Sequence, residues 1–191
     1  MLKKFVLGGM TALVLAACGG EGGSASSSAP AQSANASGSL IERINNKGTI
    51  TVGTEGTYAP FTYHDKDGKL TGYDVEVTRA VADKLGVKVE FKETQWDSMM
   101  AGLKAGRFDV VANQVGLTSP ERQATFDKSE PYSWSGAVLV ARKDSNIKSI
   151  DDIKGVKTAQ SLTSNYGEKA KAAGAELVPV DGLAQSLTLI E

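Results

Sequence analysis

The stretch that decides the fold is YDVEVTRAVADKLGVKVEFK, residues 73–92, in which a helical pattern changes to a strand pattern at one glycine. Asp74 is a residue type that caps helix N-termini, and Gly86 is the type that most often follows a helix C-terminus. Between them the apolar residues recur every fourth position, at Val77, Val81 and Leu85. After Gly86, apolar and charged residues alternate through Phe91, the pattern of a half-buried strand. The stretch therefore predicts a helix followed directly by a strand.

The alternation of helices and strands extends on both sides of this pair. Toward the N-terminus, the sequence predicts a helix that ends at Gly48, a strand over Ile50–Val52 and a hairpin with its turn at Asp65–Gly68. Toward the C-terminus, it predicts a helix over Asp97–Ala105 and a buried strand over Asp109–Ala112. This β-α-β-α-β succession favours a mainly parallel sheet with helices on its faces.

A second α/β unit is predicted beyond Ala137–Ala141, an apolar segment with the pattern of a buried strand. Alternating helices and strands then follow at Ser149–Ile153, Val156–Ala159, Asn165–Ala173, Glu176–Val180 and from about Gly182 onward. The final helix is amphipathic, and its apolar face needs a partner. We therefore divide the folded part into a first lobe, residues 40–140, and an incomplete second lobe, residues 141–191.

The N-terminal region has a different composition. Lys3 and Lys4 precede the apolar run Phe5–Ala17, which is typical of a secretory signal peptide over residues 1–17. The run is too short for a membrane-spanning helix, which needs about 20 apolar residues. Residues 18–39 consist mainly of Gly, Ser and Ala, which predicts a flexible tether.

The only cysteine of the chain, Cys18, directly follows Leu15-Ala16-Ala17. This arrangement resembles the lipobox of bacterial lipoproteins, in which the cysteine becomes the lipid-modified first residue of the mature chain. The alternative is an ordinary signal peptide that is cut after Ala17. Because two or more acyl chains, such as palmitate, anchor a protein stably, we expect an exported protein on a bacterial membrane, facing the periplasm or the cell exterior.

The composition of the 191 residues excludes several classes of protein. With 21 basic and 22 acidic residues, the formal net charge is −1, which provides no electrostatic footprint for nucleic acid. One cysteine cannot form an intrachain disulfide or a cysteine-rich zinc site. The sequence carries no phosphate-binding glycine loop and no set of metal ligands. We therefore expect no cofactor, no metal and no nucleic-acid partner.

Ordered motifs between Leu40 and Glu191 carry a resemblance to a known family. They are GTEGTYAPF at residues 53–61, LTGYDVEV at 70–77, WDSMMAGL at 96–103, GRFDVV at 106–111 and TSPER at 118–122. In order and spacing they resemble the extracytoplasmic solute-binding proteins of polar amino-acid ABC importers. Three further blocks look most like the cystine-binding branch, namely TQWDSM at 94–99, NYGE at 165–168 and VDGLAQSL at 180–187.

The resemblance implies a two-lobed, periplasmic-binding-protein-like α/β fold of type II, closing on its ligand by a hinge near Ala141–Lys143. It implies a monomeric, lipid-anchored receptor that captures cystine or another polar amino acid and delivers it to a membrane permease. The family places an aspartate for the ligand's ammonium group on a strand beyond the last predicted helix. The sequence ends at Glu191, before that strand, so we expect it to be a piece of a longer protein.

The candidate ligand contacts lie just beyond the carboxyl ends of the strands, which point toward the ligand in an α/β sheet. After the first strand, Glu55 is predicted to meet the ligand's ammonium group, and Tyr58 to cover its apolar part. Phe61 fits a role in the turn and core, and the same alternative applies to Tyr58. Trp96, before its helix, is predicted either to cover the ligand or to pack in the core.

The segment after the strand Asp109–Ala112 supplies the next candidates, which are Asn113, Gln114, Gly116, Thr118 and Arg122. Backbone groups of this segment can bind the ligand, and Gly116 permits its close approach. The family uses the arginine of its Thr-Pro-Glu-Arg motif for the α-carboxylate. Arg122 matches that arginine, with Ser119 as an extra residue in the motif, and its planar fork suits a carboxylate. The alternative is a solvated surface arginine.

In the second unit, the candidates are Thr163, Ser164 and Asn165, which precede or begin a predicted helix. A hydroxyl and free N–H groups at a helix start suit a carboxylate. Ser164 also fits a plain N-cap, and the two roles are compatible.

Two rival functions stay open beside a binding protein. One is an enzyme on the same fold, such as a periplasmic dehydratase, which needs an acidic or histidine general acid beside the ligand. The only histidine, His64, lies by a polar turn and has no cysteine or serine motif to make a nucleophilic pair. The other rival is an amino-acid-sensing domain of a receptor, which requires a membrane span after the domain.

Overall fold

The computed structural model describes residues 38–190. Its helices are α1 (Leu40–Lys47), α2 (Tyr73–Leu85), α3 (Trp96–Lys104), α4 (Pro120–Thr125), α5 (Asn165–Ala172) and α6 (Leu183–Ile190), with a 3₁₀ helix at Ile150–Ile153. Its strands are β1 (Thr49–Thr54), β2 (Thr57–Tyr58), β3 (Thr62–His64), β4 (Leu70–Thr71), β5 (Lys88–Glu93), β6 (Val110–Val111), β7 (Lys157–Gln160) and β8 (Glu176–Pro179). The predicted signal peptide, Cys18 and nearly all of the predicted tether lie outside the described residues.

The first sheet is parallel, with strand order β5-β1-β6, which confirms the predicted β-α-β-α-β unit. Ile50 and Val52 of β1 are buried together with Ile44 of α1 and Ala82 of α2. The glycines that end α1 and α2 adopt left-handed φ angles of 67° and 68°, as the sequence predicts for Gly48 and Gly86. Because β1 lies between β5 and β6, their carboxyl ends meet at one edge of the sheet.

The hairpin strands β2, β3 and β4 form a separate antiparallel sheet beside the carboxyl end of β1. Its turn follows the prediction, because Asp65 Oδ1 accepts hydrogen bonds from the backbone N–H groups of Asp67 and Lys69, both at 2.9 Å. An aspartate that binds the backbone two residues ahead is the usual device for such a turn. The hairpin places Tyr58 next to the sheet edge.

Helix α2 buries a different face from the one that its apolar spacing predicts. The helix itself is present as predicted, but Val81 and Leu85 are exposed on 46% and 37% of their surface, so the apolar spacing does not mark its buried face. The buried residues are instead Asp74, Val75, Thr78 and Ala82. Apolar residues at every fourth position define one face of a helix. The contacts at the start of the helix determine which face packs against the core.

The start of α2 explains this rotation. Asp74 is not the N-cap, because the helix begins at Tyr73 and Gly72 caps it with a φ of 122°. The backbone N–H of Tyr73 donates to the carbonyl of Pro60, and that of Asp74 donates to the carbonyl of Phe61. A Cβ at Gly72 would collide with the backbone of Phe61, so only glycine permits this close approach. The Asp74 side chain is thereby turned into the core.

The apolar segment 137–141 forms no strand among the described residues, where the sequence predicts one. Val138 and Val140 are exposed on 86% and 57% of their surface. An apolar run becomes a strand only where another strand offers its backbone groups, and within residues 38–190 none of the strands pairs with this segment.

The second unit agrees with its predicted element order. Strands β7 and β8 are parallel, α5 connects them, and Ile153, Ala170 and Val180 are buried around them. The last helix, α6, leaves Leu183 and Leu187 exposed on 44% and 40% of their surface. No helix within residues 38–190 combines the length and apolar character that a membrane crossing requires.

Candidate functional site

Asn113 joins the carboxyl ends of β1 and β6. Its Oδ1 atom accepts a hydrogen bond from the backbone N–H of Glu55 at 2.8 Å, and its Nδ2 donates to Glu55 Oε2 at 2.5 Å. Asn113 is 2% exposed, so its amide is fixed inside the sheet edge. Two predicted site residues are therefore in direct contact, and Asn113 holds the carboxylate of Glu55.

The carboxyl group of Glu55 lies in a partly buried, polar setting. Burial raises its pKa, the hydrogen bond from Asn113 lowers it, and the nearby charge of Asp97 raises it. A raised pKa means that the ionised form is held at a cost, which a bound cation would offset. Glu55 is thus a partly buried carboxylate at the carboxyl end of β1.

Tyr58 stands on β2 with its ring packed against Phe61, at 5.2 Å between ring centroids and an interplanar angle of 48°. Burial raises the pKa of its phenol, and the neighbouring groups Tyr166, Glu55 and Asp74 raise it further. The phenol therefore stays neutral and can donate a hydrogen bond at physiological pH. Its ring offers an apolar wall beside Glu55.

Arg122 is the most buried cation at this edge, with 8% of its surface exposed. Its Nη1 donates to the carbonyl of Gly116 at 2.9 Å, and its Nη2 donates to the carbonyl of Thr163 at 2.8 Å. Ser119, the extra residue of the motif, caps α4 by accepting a hydrogen bond from the Arg122 backbone N–H at 3.3 Å. Arg122 is not a solvated surface arginine, and it links the two units.

Trp96 begins α3 and packs its ring against this arginine, with 5.3 Å between the Arg122 guanidinium carbon and the ring centroid. A cation over an aromatic face is attracted by the negative face of the ring. The indole Nε1 is buried and has no hydrogen-bond partner within residues 38–190. Trp96 therefore lies in contact with Arg122 at the start of α3.

The segment that carries Gln114 and Gly116 is bound by the carboxylate of Asp74. The backbone N–H and the side-chain Nε2 of Gln114 donate to the two carboxylate oxygens of Asp74, each at 2.6 Å. Gln114 also has a left-handed φ of 50°, which is uncommon for a residue other than glycine. Ser133 completes the network by donating to Gln114 Oε1 at 3.1 Å. The side chain of Gln114 is thus directed at Asp74, and Thr118, further along, is exposed.

The second unit approaches this segment at its helix start. The side-chain Nδ2 of Asn165 lies 3.6 Å from the position that a Cβ of Gly116 would take. Ser164 caps α5 by accepting a hydrogen bond from the Tyr166 backbone N–H at 3.2 Å. Thr163 lies between Arg122 and Asp97, which binds its N–H and hydroxyl groups. The structure therefore brings Thr163 into contact with Arg122 and Asn165 close to Gly116, whereas Glu55, Tyr58 and Asn113 lie at the end of β1.

Two acidic residues of this region escaped the sequence analysis. Asp74 was predicted as a helix N-cap, and Asp97 as the first residue of a helix. Acidic residues are common in the first turn of any helix, so neither carried a local signal of its distant partner. Within residues 38–190, no three His, Cys, Asp or Glu side chains are grouped to hold a metal ion.

We expect Asp74→Ala to destabilise the folded chain by about 2 kcal/mol, because it leaves the partly buried backbone N–H of Gln114 without an acceptor. Asp74→Asn keeps one carbonyl oxygen, and a flip of the Gln114 amide restores the second bond, so most of the stability should return. Urea denaturation, followed by circular dichroism, measures the difference. Asp83→Asn, an exposed change on the same helix, is the control and should be neutral.

The pH dependence of the same variants provides a second measurement. Burial raises the pKa of Asp74, and the hydrogen bonds from Gln114 offset only part of that rise. The ionised form therefore costs stability, so the wild-type chain should lose stability relative to Asp74→Asn as the pH rises through the folded-state pKa. An unchanged difference between the two proteins from pH 3 to pH 7 (about the range of a shifted aspartate) would contradict this assignment.

The chain is similar to known proteins over most of the described residues. The model of the family described as bacterial extracellular solute-binding proteins, family 3, matches residues 50–181. A probable amino-acid ABC transporter-binding protein of Haemophilus influenzae is 61% identical over 155 residues, which are 81% of this chain and 60% of the relative. The L-cystine-binding protein TcyA of Bacillus subtilis is 60% identical over 156 residues, 81% of this chain and 58% of the relative.

A solved structure is similar at the level of sequence and backbone. It is described as the L-cystine solute receptor of Neisseria gonorrhoeae in the unliganded open conformation. The matched residues are 96% identical, with a TM-score of 0.50, and they cover 80% of this chain and 65% of that chain. The chain thus spans about three fifths of the length of the curated relatives named here.

Proposed function

Because the chain belongs to the bacterial extracellular solute-binding proteins of family 3, we propose that it is the substrate-binding protein of an amino-acid ABC importer and that its ligand is cystine. The observation that carries the proposal is the buried side chain of Arg122, whose guanidinium lies over the Trp96 ring and donates to the carbonyls of Gly116 and Thr163. A guanidinium that is held in one orientation can bind a carboxylate through two charge-assisted hydrogen bonds.

The carboxylate of the ligand is assigned to Arg122 and to the start of α5. A guanidinium carries five N–H donors, and the two carbonyl bonds of Arg122 use two of them. The side chains of Ser164 and Asn165 stand at the helix N-terminus, where N–H groups favour an anion. The predicted contacts Gly116 and Thr163 set the distance between these two anion-binding elements.

The ammonium group of the ligand is assigned to Glu55, whose carboxylate Asn113 holds in place. Tyr58 and Trp96 supply apolar surface on either side. Cystine consists of two halves joined by a disulfide, and each half carries one ammonium and one carboxylate group. The ligand therefore needs charged contacts at two ends. Relatives that are named for L-cystine binding are 60% and 96% identical to this chain, which favours cystine over other polar amino acids.

The transport role follows from closure of the two units on the ligand. We place the hinge near Ala141–Lys143, and a closed, ligand-bound monomer would present its joint surface to the permease. The predicted tether and the lipid on Cys18 would keep the protein beside that permease. These assignments rest on the family and the named relatives, whose full length exceeds this chain.

Calorimetry of the full-length protein with a panel of amino acids tests the proposal. We expect saturable heat with cystine, and binding at least about tenfold weaker, or 1.4 kcal/mol, with arginine, glutamine and histidine. Cysteine, which is one reduced half of cystine, is the matched control and should bind more weakly because it engages one end of the site. Absence of heat with cystine and with every other member of the panel would rule the proposal out.

A further inference from the structure

The contact between α3 and the loop that follows β7 joins residues far apart in the sequence. Asp97 Oδ1 accepts hydrogen bonds from the Thr163 backbone N–H at 2.9 Å and from the Thr163 hydroxyl at 2.8 Å. Its Oδ2 accepts a third bond from the Leu162 backbone N–H at 3.2 Å. One carboxylate of the first unit therefore binds two consecutive peptide N–H groups of the second.

All three polar groups of Thr163, its N–H, hydroxyl and carbonyl, are hydrogen-bonded. Its N–H and hydroxyl groups are bound by Asp97, and its carbonyl accepts from Arg122 Nη2 at 2.8 Å. Asp97 and Trp96 are neighbours in α3, so one helix start positions both the arginine, by stacking, and the loop, by hydrogen bonding. The next two residues, the N-cap Ser164 and Asn165 at the start of α5, belong to the proposed ligand site.

We propose that Asp97 is a positioning residue for ligand binding, which fixes the Leu162–Thr163 loop so that the start of α5 faces Arg122. The inference rests on the proposed function and extends it to a residue that does not touch the ligand. Both carboxylate oxygens already accept hydrogen bonds from the second unit, so Asp97 is not assigned to the ligand's ammonium group.

The energy of the contact comes from its ionised acceptor. Hydrogen bonds to a charged group are stronger than neutral ones, although exposure of Thr163 and partial exposure of Asp97 reduce the energy of these bonds. A contact that exists only when the two units are together raises the fraction of molecules in the binding-competent arrangement. The apparent affinity rises by the same factor, because the ligand no longer supplies that free energy.

The first arm of the experiment is amide hydrogen exchange at Leu162 and Thr163 in the full-length protein without ligand. Asp97→Ala should accelerate exchange of both amides by about tenfold, since their acceptor is lost. Asp97→Asn keeps one carbonyl oxygen for Thr163 and presents an N–H₂ group to Leu162, so Leu162 should respond more than Thr163. Asp83→Ala, an exposed carboxylate of α2, is the matched control and should leave both rates unchanged.

The second arm measures the dissociation constant for cystine in the same proteins. Asp97→Ala should raise it about tenfold with little change in the temperature of unfolding, and Asp97→Asn should fall between it and wild type. Thr163→Val removes the hydroxyl and keeps the backbone N–H. A cycle with Asp97→Ala should show that the two changes are not additive, as expected for groups in contact.

The outcomes separate this inference from the proposed function. Failure of the proposed function is visible in the wild-type protein, which would then bind no amino acid. The positioning role fails if wild type binds cystine and Asp97→Ala binds it equally well. It also fails if the amides of Leu162 and Thr163 exchange at the wild-type rate in Asp97→Ala, because the loop would then be held by other groups.

Discussion

Arg122→Ala is expected to weaken amino-acid binding by at least about 100-fold, the equivalent of about 3 kcal/mol. Arg122 is 8% exposed and its guanidinium donates to two carbonyl groups, so its orientation is fixed before a ligand arrives. In wild type, a ligand carboxylate would bind a preorganised planar guanidinium. In Arg122→Ala, it would lose two charge-assisted hydrogen bonds. Calorimetry with the amino acid that binds wild type best measures the loss.

The comparison with Arg122→Lys separates charge from geometry. Lysine keeps the positive charge but has neither the planar fork nor the flat face that stacks on Trp96, so we expect intermediate affinity. Arg43→Ala is the matched control, because Arg43 is an exposed arginine that donates to the carbonyl of Gly38 far from the site. Circular dichroism must show that Arg122→Ala is folded, and a folded variant that binds within threefold (about 0.7 kcal/mol) of wild type would contradict the assignment.

The elements that were predicted correctly are those whose ends and turns are determined by residues close to each other in the sequence. Gly48 and Gly86 end their helices because the residue after a helix often adopts a left-handed φ angle, which glycine adopts without steric cost. The turn at Asp65 likewise depends on hydrogen bonds that span at most four residues. Parallel order in the first sheet then follows from the alternation of these local elements.

The parts that the sequence could not predict depend on groups that are distant along the chain. Asp74 turns α2 inward because Gln114, 40 residues later, donates to it. Arg122 is buried through a carbonyl 41 residues away, at Thr163. Residues 137–141 have the apolar pattern of a strand, but that pattern does not specify a neighbouring strand. The sequence thus proposed candidate site residues at the strand ends, and only tertiary contacts revealed how those residues are held.

Cys18→Ser is expected to release the protein from the membrane almost completely. In the lipobox interpretation, acyl chains on Cys18 provide the anchor, and each buried CH₂ group contributes about 0.8 kcal/mol. Without the thiol no such chain can be attached, and the tether over residues 18–39, composed mainly of Gly, Ser and Ala, has no apolar surface to replace it. Partition between detergent and aqueous phases, with palmitate labelling of wild type, measures both anchoring and modification.

The same experiment decides between the two interpretations of the N-terminus. If the chain has an ordinary signal peptide, wild type and Cys18→Ser both enter the aqueous phase and neither takes up palmitate. If the apolar run Phe5–Ala17 stays attached and holds the protein by itself, both remain in the detergent phase. Only lipidation makes the two proteins differ, because Cys18 is the sole cysteine. Ser24→Ala, a change within the tether, is the control and should behave as wild type, since it leaves the thiol untouched.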